Sequence, residues 1–159
     1  MSLHPLHRPW PIILIVVLAA LALPTALLAA EPTLEPSVHH RADDPALSWG
    51  PCPEFLPPGC AIAVLHGDPA QPNADVFFRV PGGADIAEHW HSSAERMVLV
   101  AGELHVTYQD EPTRILTTGS YAYGPPRRAH KAHCAGSGDC VLFIAFEGPV
   151  DAVPVPAGD

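Results

Sequence analysis

Two histidines and a glutamate lie close together in the segment GADIAEHWHSSAERMVLVAG, residues 83–102. His89 and His91 are separated by one residue, so in a β-strand both side chains would project from the same face, about 6–7 Å apart at the backbone. Neutral imidazole is the commonest metal ligand in proteins, and Glu95 could add a carboxylate. The spacing therefore indicates a metal site. A third nitrogen ligand would come from one of four other histidines: His66, His105, His130 or His133.

The segments around this cluster have the composition of β-strands. Short runs rich in β-branched and aromatic residues are separated by Gly, Pro, Asp and Asn, as in β-sandwiches and barrels. No stretch sustains apolar residues at helical spacing over three turns. The pattern predicts one all-β domain. The predicted strands are 61–66, 76–80, 97–101, 104–108, 114–116, 121–123 and 141–146.

The histidine segment also resembles the first conserved motif of the cupin superfamily. That motif reads G-x5-H-x-H-x(3,4)-E-x6-G. Its fixed positions are all occupied by the expected residue types in this chain: Gly83, His89, His91, Glu95 and Gly102.

A second segment, GSYAYGPPRRAHKAHC, is similar to the second cupin motif, G-x5-P-x-G-x2-H-x3-N. Gly119, Pro125 and His130 fall on their positions. Arg127 stands where the motif has glycine, and Cys134 stands where it has asparagine. Neither departure removes a metal ligand, but the first one makes the turn before the histidine less certain to keep its usual form.

The resemblance implies a single-domain cupin β-barrel of the jelly-roll type with one divalent metal ion inside it. The implied ligands are His89, His91, Glu95 and His130. Mixed nitrogen and oxygen ligands suit Fe, Mn, Ni, Cu, Co or Zn. Such a site favours a metal-dependent oxidoreductase, dioxygenase- or oxidase-like, that acts on a small organic anion or a phenolic compound. The alternative is a non-catalytic module that binds a small ligand or a metal, because a fold alone does not determine a reaction. Compact single-domain cupins often dimerise, so a homodimer is also expected.

Five residues near the motifs are candidates for substrate binding. Arg127 and Arg128 precede the histidine of the second motif and could grip a substrate carboxylate, or else lie in a solvated turn. Tyr121 and Tyr123 share a strand face and could line the cavity or fill the core. His105 could face the barrel interior, although a strand histidine with an ordinary hydrogen-bond partner is the simpler reading.

The four cysteines allow three complete pairings. Disulfides fit an exported chain, and we favour Cys52–Cys60 and Cys134–Cys140 because each closes a short loop. A small loop of this kind stabilises by roughly 2 to 2.5 kcal/mol in the chain-entropy model. A cysteine metal site is the weaker alternative, because the chain has no C-x-x-C pair.

The N-terminus predicts export. A basic start with Arg8 precedes an uncharged apolar run, residues 12–30, which is broken by Pro24 and ends in small residues, as in a secretory signal cleaved near Ala30. The alternative is an uncleaved membrane anchor. With cleavage, the protein would be periplasmic or secreted and would have no membrane partner. The predicted organisation is a signal peptide (1–30), a flexible linker (31–47), the cupin β-barrel domain (48–153) and a disordered tail (154–159).

The charge balance bears on the class of partner. The formal net charge is −9 at pH 7 with histidines neutral. This excess of acids argues against nucleic acid or an anionic membrane surface as a partner. A small molecule is the expected ligand or substrate.

Overall fold

The fold was taken from a computed structural model that describes residues 34–156. Within this range the chain forms eleven β-strands and no helix, which confirms the all-β prediction. Every strand pairing between them is antiparallel. The strands are β1 (Trp49–Pro51), β2 (Ala61–His66), β3 (Asp75–Val80), β4 (Asp85–Trp90), β5 (Glu95–Ala101), β6 (Glu103–Tyr108), β7 (Arg114–Thr117), β8 (Tyr121–Gly124), β9 (His130–Ala135), β10 (Cys140–Phe146) and β11 (Val153–Pro154).

The strands form two sheets. One sheet has the order β1-β2-β3-β10-β5-β8, and the other has the order β11-β4-β9-β6-β7. In β6, alternate residues such as Leu104 and Val106 are buried, because successive side chains point to opposite faces of a sheet. The buried faces of both sheets contribute to one hydrophobic core, in which Val76 and Leu99 are fully buried. The site strands β4 and β9 are neighbours in the five-stranded sheet.

The first residues of the chain can be compared with the prediction only in part. The expected signal segment, residues 1–30, lies outside the described residues, as do residues 31–33 and 157–159 of the linker and the tail. Residues 34–47 of the linker contain turns but no strand, and most of them are exposed.

Among residues 34–156, no helix is long and apolar enough to cross a membrane.

The C-terminal segment is more ordered than the sequence analysis expected. Val153 and Pro154 pair with Trp90 and His89 of β4, and the Val155 amide donates a hydrogen bond to the carbonyl of Glu88. Proline is compatible with this position because an edge strand needs no ladder hydrogen bond on its outer side. The barrel therefore extends past residue 153, where the predicted tail begins.

Two disulfides join the four cysteines. Cys52 pairs with Cys60 and Cys134 pairs with Cys140, with Cα–Cα distances of 5.6 and 5.8 Å. These are the two short-range pairs that the sequence analysis favours. The second disulfide closes the turn between β9 and β10, next to the site strands.

Candidate metal centre

Strand register brings the four motif residues to one end of the barrel. His89 near the end of β4 lies directly opposite His130, the first residue of β9. His91 follows the end of β4, and Glu95 begins β5 in the other sheet. All four side chains are buried, although buried His and Glu are uncommon unless they are paired or bind a metal.

The polar atoms of these residues converge. A ring nitrogen of each histidine lies within 4.8 Å of the ring nitrogens of the other two. The Glu95 carboxylate contacts two of the rings, with Oε2 3.3 Å from His91 Nε2 and Oε1 3.4 Å from His130 Nε2. Three imidazoles and a carboxylate therefore surround one small space.

Backbone carbonyls determine which ring nitrogen of each histidine faces that space. His89 Nδ1 lies 2.7 Å from the carbonyl of Ala87, and His130 Nδ1 lies 3.3 Å from that of Arg128. His91 Nδ1 is hydrogen-bonded to the carbonyl of Asp151. Because a carbonyl can only accept, each Nδ1 must carry the proton when the ring is neutral. Each Nε2 then has a free lone pair, which is the arrangement that metal-binding histidines adopt.

Burial keeps the His89 and His130 rings neutral. It lowers the pKa of His89 to about 4 and is the main cause that lowers the pKa of His130 to about 3, with a further contribution from the neighbouring histidines. Burial also raises the pKa of the Glu95 carboxyl. With Glu95 ionised, the lone pairs of these rings would face a carboxylate with no proton between them. A divalent cation satisfies all these acceptors and favours the ionised carboxylate, so the donor set fits a metal ion.

Two further residues shape the site around Glu95. Tyr108, opposite His130 on β6, places its ring centroid 4.8 Å from that of His130 and donates a 3.4 Å hydrogen bond to Glu95 Oε1. Burial raises the pKa of the Tyr108 hydroxyl, which keeps it a donor. Gly124 lies opposite Glu95 on β8, where a Cβ would come within 2.7 Å of Glu95 Oε1. The sequence analysis missed both residues, although Tyr108 shares the face of Leu104 and Val106.

A cavity of about 290 Å³ adjoins the four residues, and its other walls are almost entirely apolar. Within residues 34–156, Asp151 is the only ionisable residue that lines it besides the three histidines and Glu95. The first disulfide loop and the segment around Asp151 contribute to its walls. The apolar lining residues are Cys52, Pro53, Leu56, Ile62, Val64, Pro69, Phe78, Ile86, Met97, Leu104, Val106, Ala132, Leu142, Ile144, Phe146, Val150 and Ala152.

The two predicted arginines lie outside the lining of this cavity. Arg128 hydrogen-bonds the carbonyl of Gln109 and pairs with Glu111 at 2.7 Å. Arg127 places its guanidinium 5.9 Å from the centre of the Trp90 ring, and its backbone has φ 62°. The turn that precedes β9 thus directs both side chains to other partners, and neither arginine lines the cavity.

The predicted aromatic residues also lie elsewhere. Tyr121 and Tyr123 alternate to the outer face of β8 and are 61% and 51% exposed, so they neither line the cavity nor fill the core. His105 points away from the interior, because its neighbours Leu104 and Val106 occupy the inner face of β6. Its Nε2 lies 2.8 Å from Glu103 Oε1.

Comparison with known proteins identifies the fold of this region. Residues 76–146 match the family model described as the cupin domain. This match contains all four candidate ligands. No curated protein sequence is significantly similar to the chain.

Several solved structures share the fold at low sequence identity. The polyketide cyclase RemF from Streptomyces resistomycificus aligns with a TM-score of 0.63 and 16% identity, over 79% of this chain and 89% of RemF. An RmlC-like cupin from Shewanella frigidimarina aligns with a TM-score of 0.53 and 21% identity, over 70% of this chain and 92% of that one. The DMSP lyase DddQ from Ruegeria pomeroyi aligns with a TM-score of 0.59 and 20% identity, over 71% of this chain. The alignment spans 64% of DddQ, less than two thirds of its length.

Proposed function

Residues 76–146 match the cupin domain, and we propose that the chain is a mononuclear metal-dependent oxidoreductase, dioxygenase- or oxidase-like, that acts on a small phenolic compound. His89, His91, His130 and Glu95 would hold one divalent ion of Fe, Mn, Ni, Cu, Co or Zn. A redox-active ion with open coordination positions would supply electron transfer between substrate and dioxygen.

The observation that carries this proposal is the contrast between the four polar groups and the apolar walls beside them. Neutral rings and one carboxylate leave a divalent ion with a formal charge of +1, which attracts an anionic oxygen. The walls offer no cation and suit an aromatic or aliphatic body. A volume of about 290 Å³ lies at the lower end of the range for ligand pockets, which indicates a small molecule.

The same contrast narrows the substrate class expected from the sequence. A small dicarboxylate would place its second charge against apolar walls, where an unpaired charge is strongly disfavoured. A phenol needs only one polar atom at the ligand cluster, and its ring can be buried. We therefore favour phenolic compounds over small organic diacids.

The residues around the cavity would mainly position the reactants and would contribute little acid–base catalysis. The Tyr108 hydroxyl stays protonated and can donate a hydrogen bond near Glu95. The apolar lining would exclude water from the bound substrate. Among the described residues, the cavity lining has no ionisable side chain besides the three histidines, Glu95 and Asp151, whose Oδ1 accepts from the Ser92 amide. This scarcity of acid–base groups supports the second candidate function, a non-catalytic cupin that binds a small ligand.

Export and self-association remain part of the proposal. The signal-like segment 1–30 and the two disulfides support a periplasmic or secreted location. An exported chain would take up its metal outside the cytoplasm. A homodimer is proposed only because compact single-domain cupins often dimerise.

The first experiment measures the metal content of the purified protein by plasma mass spectrometry. We expect one equivalent in the centre, lost in His89→Ala and in His130→Ala and retained in His66→Ala, an exposed histidine at the end of β2. Oxygen consumption is then measured with simple phenols and, separately, with oxalate. Oxygen uptake with a phenol by the wild type, but not by His89→Ala or His130→Ala, supports the oxidoreductase. Phenol binding to the loaded protein without turnover favours the binding module, and metal content unchanged in both ligand variants refutes the centre.

A further inference from the structure

A second group of histidines lies on the other face of the five-stranded sheet. His105 of β6 and His133 of β9 are directly opposite each other in register, and their ring centroids are 6.2 Å apart. Both side chains reach solvent, with 33% and 44% exposure. They line a surface groove of about 380 Å³ that also contains Asp85 and Lys131. Nothing in the proposed oxidoreductase chemistry uses this groove.

Each of these rings already has one nitrogen fixed by a carboxylate. His133 Nδ1 lies 2.8 Å from Asp85 Oδ1, and His105 Nε2 lies 2.8 Å from Glu103 Oε1. An ionised carboxylate can only accept, so a neutral ring places its proton on the paired nitrogen and its lone pair on the other. Carboxylate–histidine pairs of this kind orient metal-binding rings and make the ligating nitrogen more basic.

The spacing of the rings suits a single shared ion. An imidazole nitrogen binds a transition metal at about 2.0–2.1 Å, and its ring centre lies roughly 1.1 Å behind that nitrogen, so two rings on one ion can be up to about 6.4 Å apart between centres. This upper limit applies to two rings on opposite sides of the ion, and the observed 6.2 Å requires an N–metal–N angle of roughly 150°, close to the trans arrangement of tetragonal Cu²⁺. Around the rings, Asp85 and Glu103 provide two negative charges and Lys131 one positive charge, which leaves a net charge of −1 that favours a cation.

We propose that His105 and His133 form a second, surface metal site that binds one divalent transition-metal ion. Cu²⁺ binds most tightly and Zn²⁺ less tightly, because imidazole sites follow the general order of divalent affinities. Two protein nitrogens leave the remaining positions to water or to a further donor. Since the site depends on outward-facing residues only, it is independent of the proposed function of the inner centre.

The two sites would share strands. Asp85 and His89 lie on β4, and His133 and His130 lie on β9. An ion at the outer site would therefore link the outer faces of β6 and β9, with β4 attached through Asp85, in the same sheet that supplies two of the inner ligands.

The test titrates the purified full chain with Cu²⁺ in the presence of a competing glycine buffer and records bound copper and its electron paramagnetic resonance spectrum. We expect His105→Ala and His133→Ala each to lose one equivalent relative to the wild type, together with the spectrum of a site with two nitrogen ligands. The double variant His39→Ala/His40→Ala, which removes an exposed histidine pair in the linker, should keep that equivalent.

The variant His89→Ala distinguishes metal binding at the inner centre from metal binding at the outer site. That variant should lose only the inner equivalent and keep the outer spectrum, whether or not the proposed oxidoreductase activity is found. Because both outer histidines are exposed, their variants are expected to fold, and His105→Gln provides a second, less disruptive test. Copper content and spectra identical to wild type in His105→Ala, His133→Ala and His105→Gln would overturn the outer site.

Discussion

Replacing Gly124 with alanine should disturb the metal centre without changing any ligand. An added Cβ would lie 2.6 Å from the Tyr108 hydroxyl and 2.7 Å from both Cγ and Oε1 of Glu95. These separations are roughly 0.8 to 0.9 Å shorter than the contact of about 3.5 Å at which attraction is optimal. The Glu95 side chain or the Tyr108 hydroxyl must therefore move. The Glu95 carboxylate is held by its contacts with Tyr108, His91 and His130. We expect a loss of stability of about 1–3 kcal/mol, the usual cost of overpacking a buried site.

The metal affinity should fall as well, by roughly 10- to 100-fold, as it does when the residues that orient metal ligands are changed. Both effects are measured on the same protein, by denaturant unfolding without metal and by competition with a coloured chelator. Gly138→Ala is the matched control, because a Cβ there meets no atom within 4 Å. Adding Tyr108→Phe to Gly124→Ala removes the hydroxyl that lies nearest to the new methyl and should restore part of the stability. Wild-type stability and wild-type metal affinity in Gly124→Ala would refute the packing described around Glu95.

Three other outcomes follow from the structure. Arg127 has φ 62°, so Arg127→Gly should be more stable than Arg127→Ala by about 1 kcal/mol, and equal unfolding free energies would contradict the strain at this turn. Replacing the Cys134–Cys140 pair with alanines should lower the free energy of unfolding by about 2 kcal/mol under oxidising conditions. When the variant and the wild type are both reduced, denaturant unfolding should show no difference between them. In metal-free protein the pKa values of His89 and His130 are lowered to about 4 and 3 in the folded state. These two rings therefore leave the free energy of unfolding unchanged above pH 6.5 and lower it as the pH falls below that value, by about 1.4 kcal/mol per pH unit for each ring. A free energy of unfolding that is the same at pH 7 and pH 5 would contradict their burial.

The strands that carry apolar residues could be predicted from the sequence, including β5, which begins with Glu95, whereas the two strands that carry His89 and His130 could not. All seven predicted runs form strands, because alternating β-branched and aromatic residues satisfy a half-buried sheet. The runs that were missed include β4, DIAEHW, and β9, HKAHCA. Their inward positions hold His89 and His130 instead of apolar residues, so the usual alternation is absent where the chemistry is located.

The four motif residues could be assigned from spacing, whereas their supporting residues depend on register. Tyr108 reaches Glu95 only because β6 pairs with β9 and β5 lies in the opposite sheet. Proximity in sequence to His130 did not place Arg127 and Arg128 on the cavity, since they point to Trp90 and to the 109–111 turn. The direction of a side chain from an irregular turn is set by the local backbone, which the motif spacing does not specify.

The three histidines differ in what orients them, and this difference connects the C-terminal segment to the chemistry. His89 and His130 bond the carbonyls two residues before them, so the local backbone of β4 and β9 is sufficient to aim both rings. His91 lies beyond the end of β4, where it has no such local partner, and it bonds Asp151, sixty residues later. The side chain of Asp151 also accepts from the Ser92 amide, and β11 follows immediately to pair with β4. His91 is thus oriented by the segment that precedes β11, so the pairing of β11 with β4 also helps to hold the carbonyl that orients the third histidine of the candidate site.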